Sequence, residues 1–239
     1  MLYSEGFGGH GRIDGIEAAL KHKRGGTIPI RLSATLLGNS SGEIGSVGFF
    51  HDLTSRKELE EELRRQAITD SLTGLFNRRH FHTVLTAEVG RCRRYNHPLS
   101  LAFCDLDRFK PVNDTFGHHE GDNILRFVAA TCKGTFRSTD ITFRLGGDEF
   151  AVILVETDIR HAAHSLERMR RTFNTLWPKR MAGLGYRLKP VTLSIGVAQL
   201  LPKESAEKLL LRADLAMYEA KKAGGNRTVT ANPCIGTST

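Results

Sequence analysis

The sequence predicts an α/β fold of βα units around a mixed sheet, with a β-hairpin inserted in the middle. Three observations carry that reading. Beyond Asp70, segments with a helical period alternate with short apolar runs; two such runs, 141–145 and 150–155, flank a Gly-Gly turn; and no internal repeat or low-complexity tract competes with the pattern. At 239 residues the chain holds one domain of ordinary size and a smaller appended piece. Its 40% hydrophobic and 25% charged residues are the composition of a globular protein with a core, which excludes disorder as the default.

Residues 27–38 (TIPIRLSATLLG) partly alternate, and 44–51 (IGSVGFFH) form a second apolar run; Gly38 to Gly42 between them predict a strand, a turn and a strand. From Thr54 to Ala67 the chain is rich in strong helix formers, with Leu59 and Leu63 four apart, which predicts a charged connecting helix N-capped by Thr54. The period through Phe81, Val84, Leu85 and Val89 predicts a helix over 77–95, LSLAFC predicts a buried strand over 99–104, and 122–136 predicts an amphipathic helix. After the hairpin come a helix over 159–177, a strand over 191–199 and a helix over 204–223. The expected divisions are 1–53, a connecting helix 54–69, a main domain 70–231 and a frayed tail 232–239.

A formal charge of +8 and a pI near 9.5 favour anionic partners. The cations fall in short clusters (Arg91, Arg93, Arg94; Arg168, Arg170, Arg171; Lys179, Arg180), a pattern that a solvated basic surface explains equally well. No groove-reading or base-stacking motif accompanies them, so nucleic acid is not an expected partner. Cys92, Cys104, Cys132 and Cys234 show no zinc spacing and read as reduced packing residues. No apolar run approaches the length of a membrane span, and MLYSEGFGGHGR lacks a secretory apolar run. The expectation is a cytoplasmic chain without membrane contact of its own.

Two constellations carry chemistry. Asp105-Leu106-Asp107 follows a buried strand directly, placing carboxylates where α/β sheets bind ligands, and hard oxygen ligands suit Mg²⁺. Gly146-Gly147-Asp148-Glu149 joins two short strands; the glycines let a backbone approach phosphate closely, and the carboxylates stand at the hairpin tip. Singly, each reads equally as an acidic strand end or an ordinary turn. Together they supply what one or two divalent ions need for phosphoryl or nucleotidyl transfer.

The segment RLGGDEF at 144–150 resembles the signature of the GGDEF family of diguanylate cyclases. DSLTGLFNRR (70–79), DLDRFKPVNDTFGHHEGD (105–122), SIGVA (194–198) and RADLAMYEAK (212–221) follow the family's order, so the resemblance covers about residues 70–230. It implies a ferredoxin-like core of the nucleotide-cyclase and polymerase-palm type. It further implies condensation of two GTP into cyclic di-GMP with release of pyrophosphate, in a homodimer whose two domains each hold one GTP. Under this resemblance Asp105, Leu106 (through its carbonyl) and Asp148 would hold Mg²⁺, with Mn²⁺ as a substitute, and Glu149 would ready the 3′-hydroxyl. Asn113 and Asp122 would read guanine, whose carbonyl and donors an amide and a carboxylate complement. His118 would join the substrate contacts, Lys110 and Lys221 would neutralise phosphates, and the amides at Phe109 and Lys110 would cradle them. Arg137 and Asp140 resemble the family's R-x-x-D site for inhibition by cyclic di-GMP. Each residue has a plain alternative: Asn113-Asp114 as a helix cap, His118 as a packed loop histidine, Lys221 as an exposed cation.

One departure stands out. Where the family usually has G-R-N, with the arginine on the terminal phosphates, this chain reads Gly224-Gly225-Asn226-Arg227, and only Arg227 is left to reach in. The alternative function is therefore a catalytically weak module that binds cyclic di-GMP or GTP for regulation. Upstream, GGTIPIRLSA (25–34) and GSVGFFHDLT (45–54) resemble the closing part of a PAS domain, an incomplete module whose connecting helix either pairs with a second copy or is a linker that does not dimerise, since two apolar positions fall far short of sustained heptads.

Overall fold

The computed structural model describes residues 12–38, 44–181 and 190–232; most of the turn expected at 38–42, Cys234 and the tail from 233 lie outside them. The chain divides into two compact units, Met1–Ala67 and Ile68–Thr239.

The first unit is a three-stranded antiparallel sheet of β1 (Arg12–Lys21), β2 (Thr27–Gly38) and β3 (Ile44–Asp52), in that order, followed by α1 (Thr54–Ile68). Strand β1 was not expected. RIDGIEAALK has no clean alternation, and its register against β2 shifts between Ile13 and Ile16. The cap of α1 also differs from the expectation, since Asp52 Oδ1 accepts the Thr54 N–H at 2.8 Å. No residue of α1 is buried; Arg56–Glu60 and Arg65–Glu62 ion pairs one turn apart line it instead.

The second unit holds a six-stranded sheet in the order β4-β6-β7-β5-β8-β9, from β4 (Phe76–Asn77), β5 (Leu99–Asp107), β6 (Ile141–Gly146), β7 (Glu149–Val155), β8 (Thr192–Gln199) and β9 (Thr228–Thr230). Its four middle strands are antiparallel neighbours with the connectivity of a ferredoxin-like core, as the resemblance implied, while β4 and β9 add parallel edges. On one face Ala102, Cys104 and Leu106 pack with α4 (His118–Thr135) and α5 (Ile159–Met181) through Ile124, Val128, Phe173 and Trp177. On the other, Leu99, Leu101 and Phe103 pack with α2 (Arg78–Tyr95) and α6 (Ala206–Lys222) through Phe81, Leu85, Leu209 and Ala213. Burial on both faces explains why the central strand reads as an unbroken apolar run.

The helix expected at 122–136 starts earlier, at His118, and α3 (Phe109–Phe116) precedes it. Pro111 sits in the first turn of α3, where its missing N–H leaves no bond unmade. Gly117, with φ 81°, breaks the two helices apart. Cys92, Cys104 and Cys132 are buried free thiols, in keeping with packing roles.

Candidate active site

Strand β5 runs between β7 and β8, and its register sets Asp105 opposite Glu149 on one side and Ser194 on the other. Gly146 pairs with Glu149, so the hairpin turns on Gly147-Asp148 alone, and Gly147 has φ 49°, the left-handed conformation that tight hairpins demand at this position. The tip thereby lies beside the end of β5. A cleft of about 430 Å³ opens there, lined among others by Asp105, Leu106, Phe109, Lys110, Asp148 and Lys221. Two distant stretches of sequence and the C-terminal helix thus converge on one cavity. A larger cavity, about 680 Å³, lies near Pro98 and Gln199 at the other end of these strands and contains none of the predicted residues.

Asp105 is the electrostatic centre of the cleft. Its side chain is 7% exposed and pairs with Lys221 Nζ at 2.6 Å. Burial pushes its pKa up to about 6; the Lys221 bond opposes that rise, while the charges of Asp148 and Glu149 add to it. A buried carboxylate that feels two further carboxylates is a place that draws a cation, and Lys221 supplies one.

Among the described residues, no three His, Cys, Asp or Glu side chains gather closely enough to hold a metal by themselves. Magnesium does not require that. It is commonly held by one or two carboxylates, with water and substrate phosphate completing its shell. Asp105, Asp148 and the backbone at Leu106, all lining one open cleft, fit such a donor set.

The remaining predicted residues are spread around this centre. Gly146, Gly147 and Glu149 are exposed on the hairpin. Lys110 is exposed on α3, and Phe109 packs half-buried against the core. Asn113, one turn beyond Lys110, is not a helix cap: it lies within α3, and its carbonyl accepts the Gly117 N–H at 2.9 Å. Its side-chain Oδ1 is buried without a hydrogen-bond partner. His118 is exposed at the start of α4, not packed, and half-buried Asp122 lies 3.7 Å from Arg126. Arg137 and Asp140 stand apart, in the turn after α4, where Asp140 Oδ2 accepts the Arg137 N–H at 3.0 Å and Arg137 is exposed.

Asp107 is the residue whose part sequence reasoning missed. It accepts hydrogen bonds from Thr192 Oγ1 and Ser194 Oγ, both at 2.6 Å, and from the Asn226 N–H at 2.8 Å. It pins the turn that follows Lys221 to the central sheet. The same contact explains the departure at Gly225. That residue has φ 75°, and a Cβ there would lie 2.8 Å from the Asp107 carboxyl atoms, so this backbone leaves no room for an arginine. Arg227 does not substitute for it: its Nε donates to Gly225 O at 3.2 Å, and it is not among the residues lining the cleft.

A ferredoxin-like sheet that presents paired carboxylates, a Gly-Gly hairpin and a lysine at one cleft defines a nucleotide-handling α/β domain of the palm type. A family model described as diguanylate cyclase, GGDEF domain, matches residues 67–227, and the chain belongs to that family. It is 40% identical over 181 residues to the Probable diguanylate cyclase DgcC of Escherichia coli K12, covering 74% of this chain and 47% of that protein. Diguanylate cyclase DosC of the same organism is 39% identical over 176 residues, covering 73% and 38%. The chain therefore spans about half or less of these relatives' lengths. The crystal structure of the coiled coil and GGDEF domain of DgcB from Caulobacter crescentus, in complex with c-di-GMP, matches with a TM-score of 0.65 at 31% identity, covering 75% of this chain and 93% of that one.

Proposed function

We propose that the chain is a diguanylate cyclase that condenses two GTP into cyclic di-GMP and releases two pyrophosphates. The observation that carries this reading is the convergence of Asp105, Asp148 and Lys221 on one cleft. Asp105, Asp148 and the Leu106 carbonyl are the groups that would hold Mg²⁺, which when bound polarises the α-phosphate and eases deprotonation of the hydroxyl. Lys221 and Lys110 neutralise the triphosphate, and the amides of Phe109 and Lys110 cradle it. Asn113 and Asp122 fix guanine through hydrogen bonds to its edge, with His118 beside them. Gly146 and Gly147 let the hairpin backbone close on the nucleotide, and Glu149 takes the 3′-hydroxyl proton.

One domain carries one nucleotide, so two domains must face each other for each 3′-oxygen to attack the other's α-phosphorus. The homodimer, the cytoplasmic location and product inhibition at Arg137 and Asp140 belong to the same proposal, as does a partial PAS origin for the first unit. Turnover of GTP to cyclic di-GMP, followed against protein concentration, tests it. The rate per chain rises with concentration across the dimerisation range; a constant rate refutes the two half-sites. Gly225 favours a second reading, a regulatory module that binds GTP or cyclic di-GMP without turnover, for which the same assay yields no product.

A further inference from the structure

Arg108 joins the end of β5 to the first turn of α3, and it lines the same cleft as Asp105, Lys110, Lys221 and Gly225. Its backbone is left-handed, with φ 63° and ψ 30°, a conformation that glycine and asparagine adopt readily and an arginine only at a cost. It also stands at the N-cap of α3 without giving a side-chain cap bond, where Asn, Asp or Ser could satisfy an open helix N–H. On two separate counts the local fold would be better served by another residue. Nor does the side chain hold the fold from a distance, since Arg108 is exposed and its guanidinium makes no ion pair or hydrogen bond among the described residues.

The charges lining the cleft indicate what that side chain serves. Lys221 already offsets Asp105, and Asp107 is saturated by Thr192, Ser194 and the Asn226 N–H. Arg108 and Lys110 are left as exposed cations without a carboxylate partner among the described residues, while Gly225 contributes no charge. We infer that Arg108 binds the terminal phosphate of the nucleotide and supplies, from the turn before α3, the guanidinium that position 225 lacks. The inference rests on the GTP site proposed above and adds a residue to it. Asp105 and Asp148 hold the reacting end of the triphosphate, and Arg108, three residues further along the chain, serves the other end. A guanidinium offers a planar fork of donors that two phosphate oxygens accept together. Backbone strain and a forgone cap persist where the residue serves a ligand.

The test is calorimetric binding of 3′-deoxy-GTP and 3′-deoxy-GDP, neither of which can cyclise, to the full chain in the presence of Mg²⁺. Wild type prefers the triphosphate. Arg108→Asn, which suits the left-handed backbone, lowers that preference about tenfold, the value of one charge-assisted hydrogen bond. Its affinity for the diphosphate is nearly unchanged, and its melting temperature stays the same or rises. An undiminished preference for the triphosphate in Arg108→Asn overturns the inference. A lowered melting temperature does so too, because it makes Arg108 a part of the fold. Wild type that binds neither analogue overturns the GTP site itself, a separate failure that takes the inference with it.

Discussion

Arg144 Nη1 bonds both carboxylate oxygens of Asp70, at 3.1 and 3.2 Å. The rest of the same guanidinium, Nε and Nη2, donates to the carbonyl oxygen of Gly147 at 3.1 and 2.8 Å. One planar, five-donor group thus ties the hairpin tip to the chain at the domain's N-terminal boundary, a task for which a lysine point charge has no geometry. Burial alone pushes the Asp70 carboxyl up, yet hydrogen bonds from Thr73 and Arg144 together hold it below its usual range, so the pair is ionised at neutral pH.

Because Arg144 is 12% exposed and Asp70 23%, Arg144→Ala leaves a partly buried carboxylate short of its partner. The expected cost is roughly 1–3 kcal/mol in urea unfolding. Turnover falls further than stability accounts for, since the Gly147-Asp148 turn loses its anchor. Arg144→Lys recovers the charge and little of the activity.

Restoring the family's arginine by Gly225→Arg does not improve GTP use. The φ of 75° costs a non-glycine residue about 1–2 kcal/mol, and the new Cβ pushes on the Asp107 carboxylate. The variant melts lower than wild type and shows a KM for GTP no better than wild type. Steady-state kinetics beside a thermal melt reads both.

Lys221→Met leaves the carboxyl of Asp105 buried and unpaired, a loss of roughly 1–3 kcal/mol. In the Asp105→Asn background the same substitution costs much less, because no buried charge remains. A double-mutant cycle in urea measures the coupling, and additive costs would contradict the pairing.

Glu167 accepts from Arg170 Nη2 at 2.7 Å and Arg171 Nε at 2.8 Å. Arg170 also bonds Asn226, and Asn174 Nδ2 reaches the same Asn226 Oδ1 at 2.7 Å, so the turn after Lys221 is held through the Asn226 side chain as well as through its backbone bond to Asp107. The Arg170 bond chiefly lowers the Glu167 pKa to about 2, against burial and with help from Arg171. With the folded value below the unfolded one, this stabilisation is complete above about pH 4.5 and is lost as pH falls toward 2. Glu167→Gln is therefore destabilised at pH 7, and its deficit against wild type shrinks toward zero near pH 2; a deficit constant with pH would count against the assignment.

The central sheet was legible because its strands are local apolar runs: LSLAFC is buried on both faces, and 150–155 and 191–199 pack alongside it. Strand β1 was not, since Gly15 and the mixed polarity of RIDGIEAALK hide its alternation. Strands β4 and β9, two and three residues long, are too short to show any period. Helix α3 hides behind Pro111 and the turn-forming Asn113-Asp114. At the site, residue types and their nearness to strand ends marked Asp105 and Asp148. The structural part of Asp107 depends on Thr192, Ser194 and Asn226, partners so far away in sequence that no local pattern signals them.

The cation site proposed between β5 and the hairpin is tested most directly by Asp148→Asn, a nearly isosteric loss of one carboxylate. Incubated with GTP and Mg²⁺, the wild-type chain forms cyclic di-GMP and pyrophosphate, and the variant, folded to the same melting temperature, forms neither. Equal product from both proteins, or none from the wild type, contradicts the account.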